Sequence, residues 1–156
     1  MESIVLTQKD KDELITHAIE QQPNESCAML LGTRIDGIWN VKEIFRTQNI
    51  DNSQTNFTIS PEELLKGYQL AEKMHLELVG IFHSHPKSEP SPSNTDIKFM
   101  KGNPVPWIIY SGITKEMKAY FLAVNNNDLL SFTRKDLKEG LIVVMNVNQA
   151  STQNTN

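Results

Sequence analysis

The sequence predicts an α/β (α+β) sandwich in which helices flank a central mixed β-sheet. Three observations predict it. Residues 9–21 and 60–75 carry apolar side chains at helical spacing behind helix-start signals. The stretch 25–31 is apolar on both faces beyond its first residue, the pattern of a central strand covered on two sides, and 78–82 is a second apolar run. Helices and strands are interleaved along the chain, which favours helices packed in layers on a sheet.

Taken in order, residues 1–10 read as a first strand and a helix start. Thr7 or Asp10 caps a helix over 9–21, with Leu14, Ile15, Ala18 and Ile19 on one face and Pro23 and Asn24 ending it. A central strand follows at 25–31, a turn at 34–37 and an antiparallel strand at 38–45. Residues 46–56 are polar and loop-like. The next helix is the best marked: Ser60 is its cap, Pro61 its first residue and Glu63 its capping-box acid. Leu64, Leu65, Tyr68 and Ala71 form its apolar face, up to about His75. Then come a strand over 76–83, a short helix over 94–101 stopped by Gly102, and a strand over 104–110. A turn at 112–116 leads to a partner strand over 117–124. A turn at 125–128 and short strands at 129–133 and 141–146 complete one domain over 1–147. The polar tail 148–156 is expected to fray.

A chain of 156 residues is long enough to bury a sizeable core. Its net charge of −4, without a Lys/Arg cluster, gives no electrostatic reason to bind nucleic acid or an acidic membrane. No apolar run approaches the ~20 residues of a membrane span, and the N-terminus lacks the basic and long apolar regions of a signal peptide. One cysteine forms no internal disulfide, in agreement with a reducing cytoplasm.

The most informative stretch is 83–96. His83-Ser84-His85 ends the apolar run 78–82, and residues two apart on a strand project to one face, so both imidazoles face a common spot. A Pro/Ser-rich loop follows, then Ser93-Asn94-Thr95-Asp96 opening the short helix. The loop is long enough to bring Asp96 back to the histidines. Two imidazoles and one carboxylate fit a zinc site whose fourth position is left to water. Each part alone has a plainer reading. The histidines could be polar residues at a strand end, and Ser93 with an acid three residues on is a helix capping box.

His-x-His, seven residues, Ser, two residues, Asp resembles the signature of the JAMM (MPN+) metalloproteases. The segment Glu25-Ser26-Cys27-Ala28-Met29-Leu30-Leu31-Gly32 is similar to the upstream Glu-x-Cys-Gly-x-Leu-Leu-Gly segment of that family, with alanine where glycine is commoner. The likeness runs over about 4–124. It implies a fold resembling the cytidine-deaminase architecture and one Zn²⁺ per chain held by His83, His85 and Asp96. It also implies Glu25 as general base and the Ser93 hydroxyl as donor to the oxyanion. The implied substrate is a ubiquitin-like or sulfur-carrier protein, cut from its conjugates after a terminal Gly-Gly. Such a tail could add as a strand to a sheet edge beside the zinc, with 46–57 and 86–92 as natural contacts. The lack of large insertions looks like the compact archaeal or bacterial members.

Other residues carry less. Cys27 alternates into an apolar strand and reads as packed and inert. His17 and His75 read as surface residues, Ser84 as a partner from the opposite strand face, and Trp107 as core, with lining of the groove as the lesser alternative. A zinc nucleobase deaminase needs His-x-Glu and Pro-Cys-x-x-Cys, which one cysteine cannot supply. A non-catalytic scaffold of the same fold would have lost ligands that are all present here. Processing of a sulfur-carrier precursor or adduct uses the same chemistry and stays open.

Overall fold

The computed structural model describes residues 2–123 and 131–146. The elements are β1 (Ser3–Thr7), α1 (Gln8–Gln21), β2 (Cys27–Ile35), β3 (Ile38–Thr47), α2 (Pro61–Lys73) and β4 (Glu77–His85), followed by α3 (Asn94–Gly102), β5 (Trp107–Ser111), β6 (Met117–Leu122) and β7 (Leu137–Met145). The predicted sandwich is the fold. One mixed sheet has α1 on one face and α2 and α3 on the other. β2 pairs antiparallel with β3 and β4, β4 parallel with β5, and β5 antiparallel with β6. β7 gives its first half to β6 and its second to β1, which also pairs with β3, so the coiled sheet leads back to its first strand.

Strand alternation distributes the side chains. Ala28, Leu30, Phe82 and Ile108 meet Leu14 and Ala18 of α1, while Cys27, Met29, Leu31, Ile81 and Trp107 face α2 and α3. Leu30 pairs with Gly80 and Leu31 with Leu78, which leaves Val79 as an extra residue in β4. Fully burying a side chain such as Leu30 or Phe82 contributes about 1.5–3 kcal/mol, and that burial fixes the β2–β4 register on which the site depends.

The helix ends follow their sequence signals, with corrections. Thr7 caps α1 and Asp10 completes the box. Ser60 caps α2, but Glu63 is not the capping-box acid: its Oε1 accepts from Gln48 N–H at 2.8 Å, tying α2 to the end of β3. Leu65 and Tyr68 are 59% and 47% exposed, and so is Ile19 of α1 at 56%. The packed face of α2 is instead Leu64, Gly67, Leu70 and Ala71. Gly67 leaves room there for Met29, whose Sδ would lie 2.4 Å from an added Cβ and would have to shift. His17 is likewise not a surface residue. It sits three residues from Leu14, facing the sheet, is 4% exposed and donates from Nε2 to the Cys27 carbonyl at 2.9 Å. His75 is exposed, as expected.

β2 starts at Cys27, two residues later than predicted, because the Glu25 N–H bonds Ser53 O outside the ladder. β4 runs two residues further than predicted, to His85, since β5 pairs with it through Ser111. The strand expected at 141–146 begins at Leu137, where β6 supplies a partner. The strand expected at 129–133 is not formed at 131–133, and Phe132 is a core residue at 1% exposure. Residues 129 and 130, the turn at 125–128 and the tail 148–156 lie outside the described residues. β4 is paired on both sides, so it has no open edge for an incoming strand. Among the described residues no helix is long and apolar enough to cross a membrane.

Candidate metal centre

His83 and His85 project from the end of β4 toward the α3 side, and Asp96 is the third residue of α3. Ser93 is the helix cap. Its Oγ accepts from Asp96 N–H at 3.0 Å, and its own N–H donates to Asp96 Oδ2 at 2.9 Å. That box turns the Asp96 carboxylate back onto the strand. The outcome is a triangle: His83 Nε2, His85 Nε2 and Asp96 Oδ2 lie 3.1 Å from one another on all three sides. Both expectations for Ser93-Asn94-Thr95-Asp96, cap and convergence on the histidines, hold in one geometry.

The donor chemistry of this triangle fits a divalent cation. Ligand atoms each about 2.05 Å from a tetrahedral zinc are about 3.3 Å apart, close to the spacing seen. His85 Nδ1 donates to Glu89 O at 2.8 Å. A carbonyl only accepts, so Nδ1 carries a proton, and the neutral ring then turns its Nε2 lone pair toward the triangle. The three groups are at most 4% exposed, and lone pairs converging in a buried place call for positive charge.

The environment biases the charges. Burial works to raise Asp96, but the two imidazoles and the Ser93 N–H outweigh it and hold the carboxyl well below the usual carboxylate range. Complete burial pushes His83 below its ordinary value. Burial also acts to lower His85, yet the Asp96 carboxylate and the Glu89 carbonyl lift it above the ordinary value.

Glu25 comes from the segment just before β2. A carboxylate oxygen of Glu25 and one ring nitrogen each of His83 and His85 all lie within 4.8 Å of one another. Glu25 is 3% exposed, and burial, with the Asp96 charge adding to it and His85 opposing, raises its carboxyl to about 8. Its Oε1 and His83 Nδ1 are buried atoms with no hydrogen-bond partner, and such atoms need an explanation. For Oε1 the explanation is its place facing the histidine pair. Ser84 does point to the opposite face, where its Oγ accepts from Ser26 N–H and Ser26 Oγ–H, both at 2.9 Å. Those bonds lock the residue after Glu25 onto the strand that bears the histidines. Cys27 is buried and free, its thiol pushed up to about 12 mainly by burial, which makes it inert.

Sequence reasoning missed the frame around these groups. Phe57 stacks on His83 with centroids 4.8 Å apart, and Trp107 meets the same ring edge-on at 5.6 Å. Trp107 is the exception: it is core and also a wall of the site, the two places its sequence reading allowed. The loop after His85 is held carbonyl by carbonyl. Ser111 Oγ donates to Ser88 O, Tyr120 Oη to Pro90 O and Arg134 Nη1 to Pro92 O, at 2.7, 2.7 and 2.8 Å. Asn49, inside the segment read as a polar loop, is 4% exposed and bonded to the Glu25 carbonyl. The local sequence has no signal for these partners, which lie up to 42 residues away from the loop they hold.

A layered sheet with two histidines at a central strand end, and an acid returned to them by a helix cap, defines the JAB type of domain. Residues 7–123 match the prokaryotic homologs of the JAB domain, and the chain belongs to that family. It is 38% identical over 112 residues to a desampylase of Pyrococcus furiosus, covering 72% of this chain and 76% of that protein. It is 30% identical over 112 residues to a probable TtuB-protein conjugate cleaving protease of Thermus thermophilus, covering 71% and 70%. The solution structure of protein DSY2949 from Desulfitobacterium hafniense superposes with a TM-score of 0.77 at 26% identity, covering 92% and 93%.

Proposed function

We propose that the chain is a zinc-dependent isopeptidase that removes a small ubiquitin-like or sulfur-carrier-type protein from its conjugates by hydrolysis after the C-terminal Gly-Gly. The observation that carries this reading is the buried 3.1 Å triangle of two imidazole nitrogens and one carboxylate oxygen, with the unpartnered Glu25 carboxylate beside it. His83, His85 and Asp96 would hold one zinc. Bound there, zinc supplies Lewis-acid polarisation of the scissile carbonyl and makes water acidic, with a pKa of about 7. Glu25 takes the proton of the attacking water and passes it to the leaving amine nitrogen, so that the C–N bond breaks with a neutral amine departing. The Ser93 hydroxyl, whose oxygen accepts from Asp96 N–H and whose proton remains to be donated, steadies the negative oxygen that develops.

The relative named a TtuB-protein conjugate cleaving protease supports a protein conjugate as substrate. A cleft of about 190 Å³ beside His83, lined by Phe57, Ile59, Leu64, Ile81, Phe99 and Trp107, offers room for an apolar side chain of the bound partner. The same hydrolysis serves release of a sulfur-carrier precursor tail. The reading treats 1–147 as a single catalytic domain. It goes with a cytoplasmic setting, where the one buried free thiol is stable.

The test is a cleavage panel of small ubiquitin-like proteins joined to lysine side chains, run with the zinc-loaded and the chelated protein. About one zinc per chain and chelator-sensitive cleavage after Gly-Gly are expected, with His83→Ala and Asp96→Ala both free of zinc. Full zinc occupancy in both variants, or cleavage undiminished by chelation, would reject the assignment.

A further inference from the structure

We propose that Asn49 is a positioning residue that aims the Glu25 carboxylate. The inference rests on the isopeptidase reading and adds a residue that neither the motif nor the fold assigns.

Asn49 follows β3 and is buried at 4% exposure. Its Nδ2 donates to Glu25 O at 3.0 Å and to Asn56 O at 2.9 Å, with Ser53 O further off at 3.5 Å. Its Oδ1 accepts from Asp51 N–H and Thr58 N–H, each at 3.1 Å. Carbonyls only accept and backbone N–H groups only donate, so these partners fix the amide orientation. Both amide hydrogens and both oxygen lone pairs are engaged. A backbone bridge between Asn49 and Ile59 closes the segment behind it.

Two consequences follow for the site. Glu25 is held on both sides of its Cα by this one segment: its N–H donates to Ser53 O at 2.8 Å and its C=O accepts from Asn49. The carboxylate itself has a buried oxygen without a partner, so its direction is inherited from the backbone. Phe57 is bracketed in the same way, because Asn49 holds the carbonyl before it and the N–H after it, and the Phe57 ring stacks on His83. One amide therefore ties together the proton acceptor and the ring packed against a metal ligand. A misplacement of about 1 Å in such an arrangement costs on the order of 10²-fold in rate.

The experiment uses Asn49→Asp, which keeps both acceptor contacts and loses the donors, together with Asn49→Ala. Each is made in the wild-type and in the Glu25→Gln background, and read by zinc content, melting temperature, single-turnover kcat and KM, and amide hydrogen exchange. Expected in at least one folded variant is a kcat lower by about 10- to 100-fold, with KM within about twofold and zinc retained. In the Glu25→Gln background the same change should lower the residual rate less than about twofold, because a residue that acts through Glu25 has nothing left to aim. Exchange at the Glu25 amide should quicken in both variants, and at the Thr58 amide in Asn49→Ala, which alone removes its acceptor, while β2 stays protected. An unchanged kcat, an equal fall in both backgrounds, or loss of zinc or fold in both variants would overturn the proposal. Should the wild-type protein cleave no modifier conjugate, the functional reading fails separately and the exchange arm decides: unaltered protection at Glu25 and Thr58 rejects the role of Asn49.

Discussion

Glu25 is a carboxyl group taken almost wholly out of water, and burial sets its acidity at about 8 against an ordinary 4.5. In the metal-free protein this has a definite sign. Below about pH 4.5 the folded and unfolded chains both carry the proton and nothing is lost. Between about 4.5 and 8 the unfolded chain ionises first, so stability falls as the pH rises. Glu25→Gln should therefore gain stability relative to the metal-free wild type across that window, measured by denaturant midpoints at several pH values. A difference that stays constant with pH would refute the burial account. In the zinc-loaded protein the same variant should keep its metal and lose about 10²–10⁴-fold in turnover, since an amide accepts no proton. Ser93 separates two roles in another way. As the cap of α3, Ser93→Ala should cost about 1 kcal/mol of stability. As an oxyanion donor it should lower kcat by about 10²-fold or more. Both effects are expected, and a folded variant with full kcat would leave Ser93 as a cap alone.

At the scale of elements, the site depends on a loop that has no regular structure of its own. Between β4 and α3, the carbonyls of Ser88, Glu89, Pro90 and Pro92 are taken by Ser111, His85, Tyr120 and Arg134. Gly112 is needed beside this loop, because a Cβ there would lie 2.4 Å from Pro86 O. Arg134 reaches both Pro92 O and Asn94 Oδ1, from a segment beyond the 7–123 family match, while Phe132 packs with Met100 and Trp107 beneath α3. Arg134→Ala should free the start of α3 and cost about 1 kcal/mol, or roughly fivefold in zinc affinity. Arg46→Ala is the control, since Arg46 pairs with Glu13 and Glu20 instead. Equal zinc affinities for the two variants in a competition titration would show that the segment does not steady Asp96.

For the whole molecule, the sheet's connectivity constrains how a substrate arrives. β4 is central, flanked by β2 and β5 as far as His85. The extended tail of the proposed substrate is therefore expected at the segments around 46–57 and 86–92, since β4 offers it no edge. Cleavage after Gly-Gly, as proposed, expects residues without side chains next to the triangle, where Phe57 stacks on His83 and Trp107 meets its edge. Replacing both terminal glycines of a good substrate by valine should abolish cleavage, while changes on its globular body should chiefly raise KM. Equal cleavage of glycine- and valine-tailed substrates would favour a general peptidase.

Several features of this protein were legible in residue order alone, because their physics is local. The caps at Thr7, Ser60 and Ser93 act over three residues, and strand alternation puts His83 and His85 on one face whatever surrounds them. The apolar stretch after Glu25 announces a central strand because it must be covered on both sides. Other features came only from packing between distant segments. Ile19, Leu65 and Tyr68 fit a helical apolar stripe, yet the sheet covers a neighbouring arc and leaves them exposed, while His17 is buried because a carbonyl of β2 waits for its proton. The raised pKa of Glu25 is a property of burial, which residue order does not state, whereas the inert Cys27 was legible from its place in an apolar strand. Asn49 looks like any polar loop residue in the sequence. Tertiary structure alone decided that its amide meets a carbonyl 24 positions away, since hydrogen-bond partners are chosen by proximity in space and not along the chain.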